Sequence, residues 1–173
     1  MGEVHHQQSS NSRKSGRLYT IFHGLFCIAD FNKHLNGATV VVPDVNERIL
    51  GGLGKSIQKI KKHNDLPLVT LENQEFEKLF AVYSDDENEA RYILTPDMME
   101  RIISFSSKHN NQRKVRISFF DQFAYIAIHS GALFEPKLSR VITKEDIDGH
   151  FDDMELAIGI IAVSYTHLRA HET

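Results

Sequence analysis

Only one cysteine, Cys27, occurs in the chain, which excludes an intrachain disulfide and any cysteine-based zinc cluster. Tryptophan is absent and proline occurs four times. No uninterrupted apolar run approaches the ~18 residues of a membrane-spanning helix. Neither sign of charge dominates: 20 Lys and Arg stand against 23 Asp and Glu, a net charge of −3. No global basic field favours nucleic acid, and none is expected as a partner. What remains is ordinary globular composition, 41% hydrophobic and 25% charged over 173 residues. That is enough chain to bury one core and matches neither wholesale disorder nor several domains.

Hydrophobic periodicity sets the expected elements. Leu18–Phe31 is apolar on both parities, which predicts a central strand buried on its two faces. Thr39–Val42 is the returning strand, stopped by Pro43. In Asn46–His63, Ile49, Leu50, Leu53, Ile57 and Ile60 follow helical spacing. Gly51, Gly52 and Gly54 weaken that helix by about 1 kcal/mol each relative to Ala. Short strands follow at Leu68–Leu71 and Ala81–Tyr83, with a helical turn at Gln74–Phe80 and a short helix at Glu89–Leu94. Thr95-Pro96 is a helix start, Thr as N-cap and Pro at the first helical position. Met98, Met99, Ile102, Ile103 and Phe105 form the buried stripe of that helix. Val115–Phe119 and Phe123–His129 read as a hairpin around Asp121-Gln122, followed by a short Leu133-Phe134 strand. Thr143 opens a last amphipathic helix whose stripe is Ile147, Phe151, Met154, Ile158 and Ile161.

Strands joined by short turns pair antiparallel, and helices fall between them. The expected fold is α+β: one domain, a mainly antiparallel sheet with flanking helices and a C-terminal amphipathic helix. The expected core includes Phe22, Phe26, Ile28, Tyr83, Met98, Ile102, Ile117, Phe119, Ile126, Phe151 and Ile158. Residues 1–17 are expected to be a truncated polar terminus or hairpin loop, and 18–162 the domain. Residues 163–173 read like the translation of a transposon-type sequencing adapter, a scar outside the fold.

The chemical motifs each have a plainer reading beside them. Gly51-Gly-Leu-Gly-Lys-Ser56 falls short of a phosphate loop, because the first glycine of G-x-x-x-x-G-K-[ST] would be residue 49, here Ile49. Asp85, Asp86, Glu87 and Glu89 cluster carboxylates, but neighbours in a helix cap diverge unless other groups converge on them. Cys27 and His23 lie four residues apart along one strand, about 13 Å, too far to pair as nucleophile and base. No catalytic, cofactor-binding or metal-ligating residues are assigned, and no enzyme is expected. Lys55, Lys59, Lys61 and Lys62 give the Ile49–Lys62 segment a basic side suited to an anionic membrane surface.

Six segments in order carry a family resemblance: Thr20–Phe26, Ala29–Leu35, Thr39–Asp44, Leu71–Phe80, Val82–Asp86 and Glu89–Pro96. Ile117–Phe119, Tyr125–Ile128, Leu133–Pro136 and Leu156–Ile160 extend it. Together they resemble the bacterial family catalogued as domain of unknown function 3137, over residues 18–162. The resemblance implies an upstream pair of hydrophobic helices, hence a membrane-associated protein with this soluble domain on the cytoplasmic side. It also implies a LemA-like membrane protein as a partner, and it supplies no catalytic residues. The function expected is that of a module acting by protein or membrane-surface interaction. The alternative is a hydrolase or nuclease using the acidic cluster at Asp85–Glu89.

Overall fold

A computed structural model describes residues 1–9, 18–31, 34–43, 66–108, 114–129 and 144–169. Seven strands form one sheet: β1 (Gly2–Ser9), β2 (Leu18–Asp30), β3 (Ala38–Pro43), β4 (Leu68–Val69), β5 (Phe80–Ser84), β6 (Lys114–Phe120) and β7 (Phe123–His129). Their spatial order is β1-β2-β7-β6-β3-β5-β4, and every neighbouring pair is antiparallel. The described helices are α1 (Gln74–Leu79), α2 (Glu87–Ile93), α3 (Pro96–Lys108) and α4 (Lys144–Arg169). The fold is thus the expected α+β domain.

Strand register explains the core. One row crosses six strands, Cys27–Ile126–Ile117–Val41–Val82–Val69, and all six side chains are buried. This face receives the helices. Asn73 caps α1 by accepting from the Glu75 and Phe76 N–H groups, and seats a fully buried Phe76. Thr95 Oγ1 accepts from the Met98 N–H at 3.4 Å where α3 begins. Met98, Met99, Ile102, Ile103 and Phe105 are all buried, as the stripe predicts. The β6–β7 hairpin turns through Asp121, whose φ of 56° is left-handed, a conformation Asp tolerates.

Three expectations need correction. The first concerns β2, which is buried on one face only. Leu25, Cys27 and Ala29 are inside, while Phe22 and Phe26 are half-buried and Ile28 is 51% exposed. Apolar residues on both parities do predict two covered faces, but among the described residues helices cover just one. Tyr83 shares the outer face and is likewise half-buried, whereas Ile117, Phe119 and Ile126 are fully buried.

The second correction concerns α4. It seats Asp153, Leu156, Ala157 and Ile160, leaving Phe151 62% and Ile158 59% exposed. Ala157 is fully buried at this contact. A Cβ on Gly159 would stand 3.3 Å from the Arg101 guanidinium, so a larger residue there would crowd the tip of that side chain. The helical backbone also continues through Arg169, past residue 162. The third concerns the N-terminus, where Gly2–Ser9 forms a strand rather than a loop. Its polar residues pair with β2 from Gly2↔Phe26 to Ser9↔Leu18, with a bulge between His6 and Gln7. The Ile49–Lys62 helix with its lysines, the Gly51–Ser56 loop and the Leu133-Phe134 strand lie outside the described residues.

Candidate interaction surface

Among the described residues, the sheet face opposite the helices is left outside the core. The row Ile28–Tyr125–Ser118–Val40–Tyr83–Leu68 runs across six strands on that face, in register. A second row holds Gly2, Phe26, Ala127 and Arg116, and a third holds Val4, Gly24, His129 and Lys114. Phe120 and Phe123 pair at the hairpin end. Ile28, Phe120 (58% exposed) and Leu68 (63% exposed) stand clear of the backbone, and no described helix lies over them. Phe22 meets the His129 ring edge-on at 6.0 Å, and Phe123 meets Tyr125 in the same way at 6.3 Å. Between the exposed Ile28 and Leu68, the side chains of Tyr125, Ser118, Val40 and Tyr83 are half-buried, so the row is largely apolar and only partly covered.

Charge on this face is unevenly placed. Lys114, Arg116 and His129 gather toward one end, and Asp30 sits at the other. Burial among apolar neighbours lowers the Arg116 pKa from its ordinary value, yet a guanidinium stays protonated at any working pH. Among the described residues no carboxylate lies within ion-pair distance of Arg116. The His129 pKa is also lowered, first by burial and then by the positive charges of Arg116, Lys114 and His23.

The helix layer presents the opposite character. α3 and α4 flank a groove of about 500 Å³ lined by Asp97, Glu100, Asp152 and Glu155, with Arg101 as its one cation among the described residues. Phe151 and Ile158 border the acidic side chains on the outer surface of α4.

The acidic cluster at Asp85–Glu89 has a structural task. Asp86 caps α2, accepting from the Glu89 N–H at 3.0 Å. Asp85 Oδ1 accepts from the Ala38 N–H at 2.7 Å. Glu89 grips the turn before β3, accepting from the Asn36 N–H at 3.0 Å and the Gly37 N–H at 2.9 Å. Gly37 is required by this arrangement, because a Cβ there would collide with the Asp85 carboxylate. Ser84 and Thr39 hydroxyls, 2.9 Å apart and buried, tie β3 to β5 beneath it. The carboxylates thus accept from four backbone N–H groups, three of them consecutive at Asn36–Ala38, and are occupied in holding that turn and the α2 cap. Among the described residues no group of three His, Cys, Asp or Glu side chains is placed to hold a metal ion.

Cys27 is buried on the helix side of β2, and His129 is on the other side of the sheet, so the two cannot pair. The β1–β2 ribbon brings together a group that the sequence reading missed. His5 stacks on His23 at 4.0 Å, and His23 Nε2 is hydrogen-bonded to Glu3 Oε1 at 2.8 Å. Residues of β1 carry no apolar alternation, so nothing short of the pairing itself reveals this contact. Arg116 was legible as a polar residue alternating with Val115 and Ile117. Its position amid an aromatic face was not.

None of the described helices is long and apolar enough to cross a membrane. A family model described as "Protein of unknown function (DUF3137)" matches residues 20–163. No curated protein and no solved structure matches the chain.

Proposed function

The chain belongs to the DUF3137 family, and on that footing we propose that it is a docking module rather than a catalyst, working through the sheet face that no described helix covers. The observation that carries this reading is the exposure of Ile28, Phe120 and Leu68 on one face that also holds the half-buried Arg116. A sheet with apolar residues on both faces gains a second layer by binding one. The acidic cluster supports the same reading, since Asp85, Asp86 and Glu89 serve the backbone.

The module works at the inner face of a bacterial membrane, as part of a membrane-associated protein, with a LemA-like membrane protein as a candidate partner. Lys55, Lys59, Lys61 and Lys62 add an attraction to anionic lipid of about 1 kcal/mol each. Alone that gives at most millimolar-range binding; attached to a membrane protein it suffices to orient the domain. The test compares wild type with the Phe120→Asp/Arg116→Glu variant in membranes prepared from the host and solubilised in mild detergent. Loss of the native complex, with the variant still folded, is expected. A complex of unchanged size would overturn the docking reading.

A further inference from the structure

Two surfaces of this molecule lack a partner among the described residues, and they differ in charge. On the outer face of α4, Asp148, Phe151, Glu155 and Ile158 are all exposed. Their spacing of three and four residues places them on one stripe. At 100° per residue that stripe is turned away from Asp153, Leu156, Ala157 and Ile160, which face the core. It is apolar with acidic flanks, and the acidic groove beside α3 widens it. The uncovered sheet face, on the other side of the molecule, is apolar with Arg116, Lys114 and His129. Of the expected apolar stripe, the described Phe151, Met154 and Ile158 are therefore split by the fold. One part approaches the core through the partly buried Met154, and another points outward.

We propose that the sheet face of one copy of this chain docks on the α4 face of another, so that copies stack head to tail. Phe151 and Ile158 cover the Ile28–Tyr125 row, while Glu155 and its acidic neighbours meet Arg116 and Lys114. Charge selects this occupant over others. The lysine-rich segment at 49–62 would bring like charge to Arg116. A flat anionic bilayer would match the charge but not a twisted seven-stranded sheet, whose curvature accepts a helix. Two sheet faces against each other would offer Lys114, Arg116 and His129 of each copy a single acid, Asp30, where the α4 face offers several. A head-to-tail contact is heterologous: each copy uses one face and leaves the other open, so growth continues beyond two.

This inference rests on the docking reading above and adds the partner. Analytical ultracentrifugation of the purified chain tests it. Wild type is expected to form species larger than dimers as concentration rises, and salt is expected to weaken them. Arg116→Glu/Phe120→Ser removes the sheet face, and Phe151→Ser/Glu155→Lys removes the helix face; each variant alone is expected to be monomeric. Mixed in equal amounts, they retain one good face of each kind and are expected to stop at the dimer. A variant that failed to fold would not supply its face, so the mixed dimer also reports folding. Should either pair lose its thermal transition, Arg116→Gln and Glu155→Gln replace them. Wild type monomeric at about 100 µM, well above a micromolar Kd, would overturn the proposal. So would a mixture that stays monomeric, or either variant dimerising alone. Loss of the native membrane complex in the Phe120→Asp/Arg116→Glu variant, with the chain itself monomeric, would leave docking standing and remove the second copy as partner.

Discussion

Phe119 and Phe120 are adjacent on β6 and point to opposite faces of the sheet, which makes them a matched pair for asking which face is covered. Phe119 is fully buried and meets Phe31 edge-on at 5.5 Å. Its truncation to Ala opens a cavity between the sheet and the helices. Buried aromatics cut to Ala cost about 3–5 kcal/mol, and loss of the aromatic pair places this site in the upper half of that range. Phe120 is 58% exposed. Burying a whole Phe side chain is worth about 1.5–3 kcal/mol, so the smaller covered part of Phe120 accounts for about 1 kcal/mol or less. Urea unfolding of both variants, with equal m-values, measures the two costs. The expected result is a difference of at least about 2 kcal/mol. Equal costs would refute the reasoning, because they would mean that the Phe120 face is packed in the isolated chain.

Gly37→Ala is expected to displace the Asp85 carboxylate from the Ala38 N–H and cost about 1.5–3 kcal/mol, the range for a hydrogen bond to a charged group; thermal unfolding of the variant checks it. Acidification is expected to destabilise the chain partly through His129. Its pKa in the folded state lies below the unfolded 6.5, so the unfolded chain takes the proton first as pH falls. The stability from neutral His129 is therefore fully present above pH 6.5 and is lost as pH falls through the folded pKa. Unfolding free energies across this range should have a shallower pH slope in His129→Gln than in wild type.

The alternation in Lys114–Phe120 and Phe123–His129 and the Asp121-Gln122 turn made the central hairpin legible. The stripe from Met98 to Phe105 did the same for α3. Each pattern is local, and each has one physical solution. The uncovered face was not legible, because apolar residues such as Phe26 and Ile28 look the same whether a layer of the same chain or a separate partner covers them. The orientation of α4 was hidden for a related reason. Large apolar residues dominate a periodicity count, yet the side actually buried includes the small Ala157 and the polar Asp153 beside Leu156 and Ile160. The polar strand β1 carries no apolar signal, and only its hydrogen bonding to β2 defines it.

The central claim is that the Ile28–Tyr125 face is occupied when the protein works. Hydroxyl-radical footprinting measures this directly by comparing side-chain oxidation in the purified chain, dilute enough to be monomeric, with that in host membranes. The expected result is strong oxidation of Phe120, Ile28 and Tyr125 in the dilute chain and protection of all three in membranes, with Leu18 equally reactive in both. Equal oxidation of the three in the two settings would contradict the claim.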